Sequence, residues 1–295
     1  MAQAFAPFGS TVTLVHADAR ILPREDADAG AIVTSVLEDE GVRILNRAQI
    51  TNVWHRDGEF HVAATTPESS AIVVSDRLLV ATGRAPNVDG LRLDLAGVEY
   101  TRAGITVDAR MRTSNARVFA IGDVASALKF THVADAQARL AVANALFFGI
   151  GGGSHRPELI PRVTYTAPEV AHVGVTLDEA TARGQQCDVV RVELSANDRS
   201  ILEGDSAGFL KVCLAKESDR IPGATLVASH AGEMIGEPGV AITNGIGLGG
   251  AGKTVHAYPT QSEVFRKATD VWRRGKLTPT AGKALRWWFK LFSAR

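Results

Sequence analysis

The chain has 295 residues, 45% of them apolar, with 32 Lys/Arg against 32 Asp/Glu. This is the composition of a globular protein with room for two or more domains, and a formal net charge of zero argues against general nucleic-acid binding. There is no apolar run long enough to span a bilayer and no secretory signal pattern, and the two distant cysteines, Cys187 and Cys213, suit a reducing, cytoplasmic setting rather than a disulfide or zinc site.

In chain order, Met1 to Phe8 reads as the end of a helix, interrupted at Pro7 and closed by Gly9. A strand follows over Thr11–Val15, then a helix over Ala27–Glu40 with Ile32, Val33, Val36 and Leu37 on one face and Gly41 as its C-cap. Strands are expected near Val42–Leu45, Gln49–Trp54, Phe60–Ala64, Ala71–Val74 and Leu78–Ala81, with Asp57-Gly58 as a hairpin turn. This is the later half of a Rossmann-type unit. The strand and Gly-rich turn that lead into a first helix are not in the sequence ahead of Ala2.

The segment Val118-Phe119-Ala120-Ile121-Gly122-Asp123 reads as a short buried strand that ends at a glycine and a carboxylate. Asp123 then lies at the carboxyl end of that strand, where open α/β sheets bind ligands, and an ionised carboxylate accepts hydrogen bonds from hydroxyls. Thr131 is placed to cap a helix running through Leu140, Val142, Leu146 and Phe147, whose N-terminus carries partial positive charge. A glycine loop at 149–153 closes this part. From Arg156 onward, strands near Val163–Thr166, Asp188–Leu194, Gly208–Leu214 and Ala224–Ser229 are interspersed with helices near Leu177–Arg183, Ala231–Gly245 and Thr260–Trp272.

Four segments carry a family likeness: Ala81-Thr82-Gly83-Arg84-Ala85-Pro86, Ile121-Gly122-Asp123, Thr164-Tyr165-Thr166-Ala167-Pro168-Glu169, and His256-Ala257-Tyr258-Pro259-Thr260-Gln261-Ser262-Glu263. In this order they resemble the FAD-dependent pyridine nucleotide-disulfide oxidoreductases, the group of dihydrolipoamide dehydrogenase, glutathione reductase and mercuric reductase. The resemblance extends to about Asp270 and is to the C-terminal portion of such enzymes.

The resemblance implies an α/β chain with partial Rossmann-type NAD(P) and FAD domains followed by an α+β dimerisation domain. The segments are 1–85, 86–155 and 156–275, with a basic amphipathic tail over 276–295. It implies FAD and NAD(P)H as cofactors, with Gly83, Gly122, Asp123, Thr131 and His16 at cofactor-contacting positions. Asp123 would hold the ribityl chain and the backbone at Thr131 would lie against the flavin. His16 stands where an acid usually marks NAD preference. With Arg20 it suits a 2′-phosphate, or else it is a solvated loop histidine. The chain lacks a Cys-x4-Cys pair, so the expectation is a fragment of an oxidoreductase passing hydride from NAD(P)H via FAD to a dithiol/disulfide or metal ion, incomplete as it stands. The alternative is a non-catalytic dimerisation or interaction protein. A homodimer is implied either way.

Within the last of these segments the family's disulfide reductases carry a catalytic histidine at the position of Tyr258, oriented by a glutamate at the position of Glu263. Tyrosine is a poor base at neutral pH. Tyr258 is then either a substrate-side residue, as in mercuric reductase, or an interface aromatic. Gly247 to Thr254 matches the P-loop pattern, but Pro259 would break the helix a P-loop must open. The tail places Leu285, Trp288, Phe289 and Phe292 on one helical face and Lys283, Arg286 and Lys290 opposite. Such a helix suits weak contact with a membrane surface through residues 282–295, or docking on protein.

Overall fold

The computed structural model describes residues 1–147, 150 and 153–292. Two compact units emerge, one made of residues 1–78 with 161–295 and the other of residues 79–160. The glycine loop expected at 149–153 lies mostly outside the described residues.

In the first unit, β1 (Thr13–Val15) pairs in parallel with β2 (Arg43–Leu45), and the helix Ala27–Asp39 connects them. Asp26 caps that helix, its carboxylate accepting from the Asp28 amide at 3.0 Å, and Gly41 follows it at φ +83°. An antiparallel sheet comes next, of β3 (Gln49–Arg56), β4 (Glu59–Thr65) and β5 (Ser70–Ser75). Asp57 and Gly58 both have positive φ, as a two-residue hairpin turn requires.

Also in this unit is a five-stranded antiparallel sheet of β8 (Arg162–Thr164), β9 (Glu169–Gly174), β10 (Cys187–Glu193), β11 (Phe209–Ala215) and β12 (Gly223–Ala228), in the order β10-β11-β12-β9-β8. Both faces are covered, so β11 and β12 are buried almost throughout. Ala171, Leu210 and Leu226 point to a core shared with Ala231, Val264 and Ala268 of the later helices. Their neighbours Val170, Phe209 and Val227 point the other way, to a core with Val33 and Leu37 of helix 27–39. The period-two alternation of a strand thus feeds two cores from one sheet.

The second unit holds the short pair β6 (Tyr100–Thr101) and β7 (Gly104–Ile105) and the helix Thr131–Leu146. Its core gathers Leu93, Val98, Ile105 and Ala120.

Four local expectations are corrected. Residues 78–81 form no strand, and Val118–Ile121 makes only a single bridge, Phe119 to Arg112. Both runs are apolar enough for strands, but a strand exists only where neighbours take up its backbone groups, and the described residues offer them no ladder. Thr131 is the first residue of its helix rather than its cap; Phe130 holds the cap position without a side-chain bond. The helix expected over 231–245 is two, Ala231–Met234 and Gly236–Thr243. Pro238 has no amide to return to the Met234 carbonyl, so the ladder stops there.

Candidate functional site

In the unit of residues 79–160, the chain reverses at Gly122 and Asp123. Gly122 has φ +68°, and a Cβ there would stand 3.2 Å from that of Ala134. Its amide donates to the buried Gln137 Oε1 at 2.7 Å, which ties the turn to helix 131–146. Only glycine meets both demands, since the left-handed backbone disfavours a side chain and the helix leaves it no room.

Asp123 follows with its side chain 51% exposed. Lys129 Nζ donates to the Asp123 carbonyl at 3.0 Å and to that of Ser126 at 3.3 Å. Arg84 Nη1 donates to the Lys129 carbonyl at 3.3 Å and stands 3.7 Å from the Asp123 carboxylate. The segment holding Gly83 (φ +136°) is thereby drawn to Asp123 and to the start of helix 131–146. Two cations fix the loop, yet the carboxylate keeps open acceptor positions beside a helix N-terminus that no side chain caps. These groups fit a polyol chain and an adjoining anionic or electron-rich edge of a flavin nucleotide.

In the other unit, His16 follows β1, its amide bonded to the Leu45 carbonyl and its Nε2 3.5 Å from the Asp18 carboxylate. Arg20 is turned inward, donating to the carbonyls of Leu22, Pro23 and Glu25. The expected partnership of His16 and Arg20 is therefore not assembled. His16 faces a carboxylate, and Arg20 holds the loop together.

The segment 256–263 carries two polar pairs that sequence reasoning missed. His256, with its side chain 6% exposed, places Nε2 3.0 Å from both carboxylate oxygens of Glu237. Tyr258 is 70% exposed, and its hydroxyl donates to Asp198 Oδ2 at 3.0 Å. That bond, more than any other influence, raises the phenol above its ordinary value, because ionisation would set two anions side by side. Glu263 does not reach the hydroxyl as a partner. It pairs with Arg266 and Lys267 along its own helix, Glu263–Gly275. The arrangement makes Tyr258 a hydrogen-bond donor rather than a base.

The P-loop-like stretch forms a single helical turn, Leu248–Ala251. The position a phosphate would occupy is held by Asp219, whose carboxylate accepts from the Gly249 amide at 3.3 Å and whose carbonyl accepts from Leu248. No group of His, Cys, Asp and Glu able to hold a metal ion occurs among the described residues.

Comparison with known proteins agrees with this geometry. Residues 1–138 match a family described as pyridine nucleotide-disulphide oxidoreductase, and residues 160–269 match the dimerisation domain of the same family. The chain is 36% identical over 275 residues to a dihydrolipoyl dehydrogenase of Chlorobaculum tepidum, covering 91% of this chain and 57% of that one. It is 35% identical over 277 residues to a mercuric reductase of Acidithiobacillus ferrooxidans, covering 93% and 49%. Among solved structures, LpdA from Mycobacterium tuberculosis superposes with a TM-score of 0.83 at 28% identity, over 91% of this chain and 58% of the other. RclA, an HOCl-induced flavoprotein disulfide reductase from Escherichia coli, superposes at 0.79 and 28% identity, over 92% and 61%. The chain thus spans about half to three-fifths of the lengths of these relatives.

Proposed function

Because the chain belongs to the pyridine nucleotide-disulphide oxidoreductases, a family of FAD-dependent NAD(P)H enzymes, we propose that it serves as the C-terminal part of such an oxidoreductase. The reaction passes hydride from NAD(P)H by way of FAD to a dithiol/disulfide or a metal-ion substrate, as in mercuric reductase. Bound FAD supplies the hydride relay.

The chain's own residues bind and orient. Asp123 accepts from ribityl hydroxyls, Arg84 and Lys129 hold its turn, Gly83 and Gly122 allow backbone approach, and the start of helix 131–146 at Thr131 faces the ring. His16 lies on the NAD(P)H side, and Tyr258 acts on the substrate side as a donor, with Glu263 behind it in the helix. Segments 1–85 and 86–155 are the NAD(P) and FAD parts, and 156–275 forms the homodimer. Two free cysteines and the absence, among the described residues, of any helix able to cross a membrane are compatible with the cytoplasm.

The observation that carries this reading is the cluster of Arg84, Lys129 and Asp123 around an open carboxylate. The sequence contains no Cys-x4-Cys, and among the described residues no Gly-rich turn follows a parallel strand. On this reading, tight flavin binding draws on a Gly-rich turn and reduction of a disulfide substrate on a cysteine pair. The test is to express the chain alone and joined to the Gly-rich N-terminal part of the Chlorobaculum tepidum relative. The joined protein should hold FAD through gel filtration and reduce lipoamide or Hg(II) with NAD(P)H, and Asp123→Ala should lose the flavin. Stoichiometric FAD on the 295 residues alone, or on the Asp123→Ala protein, would overturn the assignment.

A second reading, a non-catalytic dimerisation protein, is favoured by one observation: the hydroxyl of Tyr258 is engaged by Asp198 where the family places a base. A joined protein that binds FAD and oxidises NAD(P)H but reduces neither substrate would favour it.

A further inference from the structure

We propose that the C-terminal helix Pro279–Phe292 is a docking surface for an anionic lipid bilayer. It lies beyond the region matched to the family, which ends at residue 269. Leu285, Trp287, Trp288, Phe289, Leu291 and Phe292 are all 42–64% exposed. The ring centroids of Trp288 and Phe292 are 4.5 Å apart, so these two rings, one helical turn apart, pack against each other on the exposed face.

Charge identifies the occupant. After Asp270 the sequence has seven Lys/Arg and no Asp or Glu, which leaves the preceding residues with a net charge of −7. Lys283, Arg286 and Lys290 fall on one narrow strip. At 100° per residue the apolar side chains from Trp287 round to Phe289 occupy about 200° of the circumference. A seam with a helix of a second copy would cover a narrower stripe and leave Trp287 and Leu291 in water. A bilayer surface covers the whole sector, buries Trp288 at its centre and seats Trp287 at its rim near the headgroups, and lets Lys283 and Arg286, which border the sector on its two sides, extend to lipid phosphates. At 14 residues the helix is too short to span, so it lies in the interface plane.

The test uses the full chain with vesicles of phosphatidylcholine alone or with about 30 mol % phosphatidylserine, read by co-sedimentation and tryptophan fluorescence. Binding to the anionic vesicles should exceed that to the neutral ones by about tenfold or more. It should also be lost in about 0.5 M salt. Lys283→Glu, Arg286→Glu and Lys290→Glu together should abolish the preference, and Trp287→Ala with Trp288→Ala should weaken binding to both vesicles. All five positions are exposed, so an unchanged thermal midpoint certifies folding. Equal binding to both vesicles, or no loss in the charge-reversed protein, overturns the proposal. So does a tryptophan variant that turns dimer into monomer in lipid-free sedimentation while vesicle binding stays absent, since the helix is then a seam between copies.

Discussion

Lys211 Nζ lies 2.8 Å from both carboxylate oxygens of Asp26, and neither side chain is more than 10% exposed. The pair joins the cap of helix 27–39 to the middle of β11, and Asp28 adds a third bond to the same ammonium at 2.7 Å. Lys211→Met would strand a buried carboxylate and should cost about 3–5 kcal/mol. Asp26→Asn keeps the capping oxygen but not the charge. In the double variant no buried charge lacks a partner, so its loss should be smaller than the sum. Urea unfolding of the four proteins measures the coupling; strict additivity would show that the pair does not interact energetically.

The pH dependence should have an identifiable source in His172. It is buried between Thr225 Oγ1 and the Gly174 carbonyl, and burial, helped by Arg162, lowers it from 6.5 to about 4. The unfolded chain takes up the proton first. Stability is therefore fully present above pH 6.5 and is lost as pH falls towards 4, by about 3 kcal/mol at most. His172→Gln should flatten the urea midpoint across that window, and a slope unchanged by the substitution would point to other groups.

The two thiols should differ in reactivity. Burial pushes Cys213 up to about 11, whereas Cys187 is half-buried at the start of β10. A disulfide reagent at about pH 8 should modify one thiol quickly and the other only on unfolding. Cys187→Ser should remove the fast phase. If Cys213→Ser removes it instead, β11 opens more readily than its burial indicates.

Tyr258 should titrate above the ordinary phenol range because of its bond to Asp198. There are only three tyrosines, so a spectrophotometric titration of the parent minus Tyr258→Phe isolates it. Asp198→Asn should move that difference curve to lower pH. An unmoved curve would mean the hydrogen bond is not kept in solution.

Gly252 packs on Thr269, where a Cβ would overlap the threonine side chain. Gly252→Ala should therefore lower the thermal midpoint although its φ of −68° suits any residue. Excess ATP should leave the midpoint of the parent unchanged, because Asp219 already uses the amide a phosphate would need. Stabilisation by ATP would revive the nucleotide-binding interpretation of that stretch.

What could be seen in advance followed from how local the cause was. Asp57-Gly58 announces its hairpin because two adjacent residues must take positive φ, and the alternation of β10 shows directly in its composition. The runs at 78–81 and 118–121 look like strands by the same composition, but pairing is decided by neighbours far away in the chain. The site divides similarly. Gly122 and Asp123 are adjacent, and their turn could be inferred from residue type. Asp198 lies 60 residues from Tyr258 and Glu237 lies 19 from His256, so no periodicity links them. The family resemblance implies Glu263 as the orienting carboxylate, yet two cations on its own helix engage it.

The two-faced sheet makes the chain intolerant of length changes in a specific place. In β12, Leu226 feeds one core and Val227 the other, while Thr225 meets His172 on the same side as Val227. Inserting a single residue there would rotate every side chain beyond it by half a turn of the pleat. Leucines would be pushed among the polar partners beneath helix 27–39, and hydroxyls into the aliphatic layer opposite. Indels should therefore accumulate in the connections between strands, where no such parity is kept, and be excluded from the strands themselves, even where the replacement residues are equally apolar.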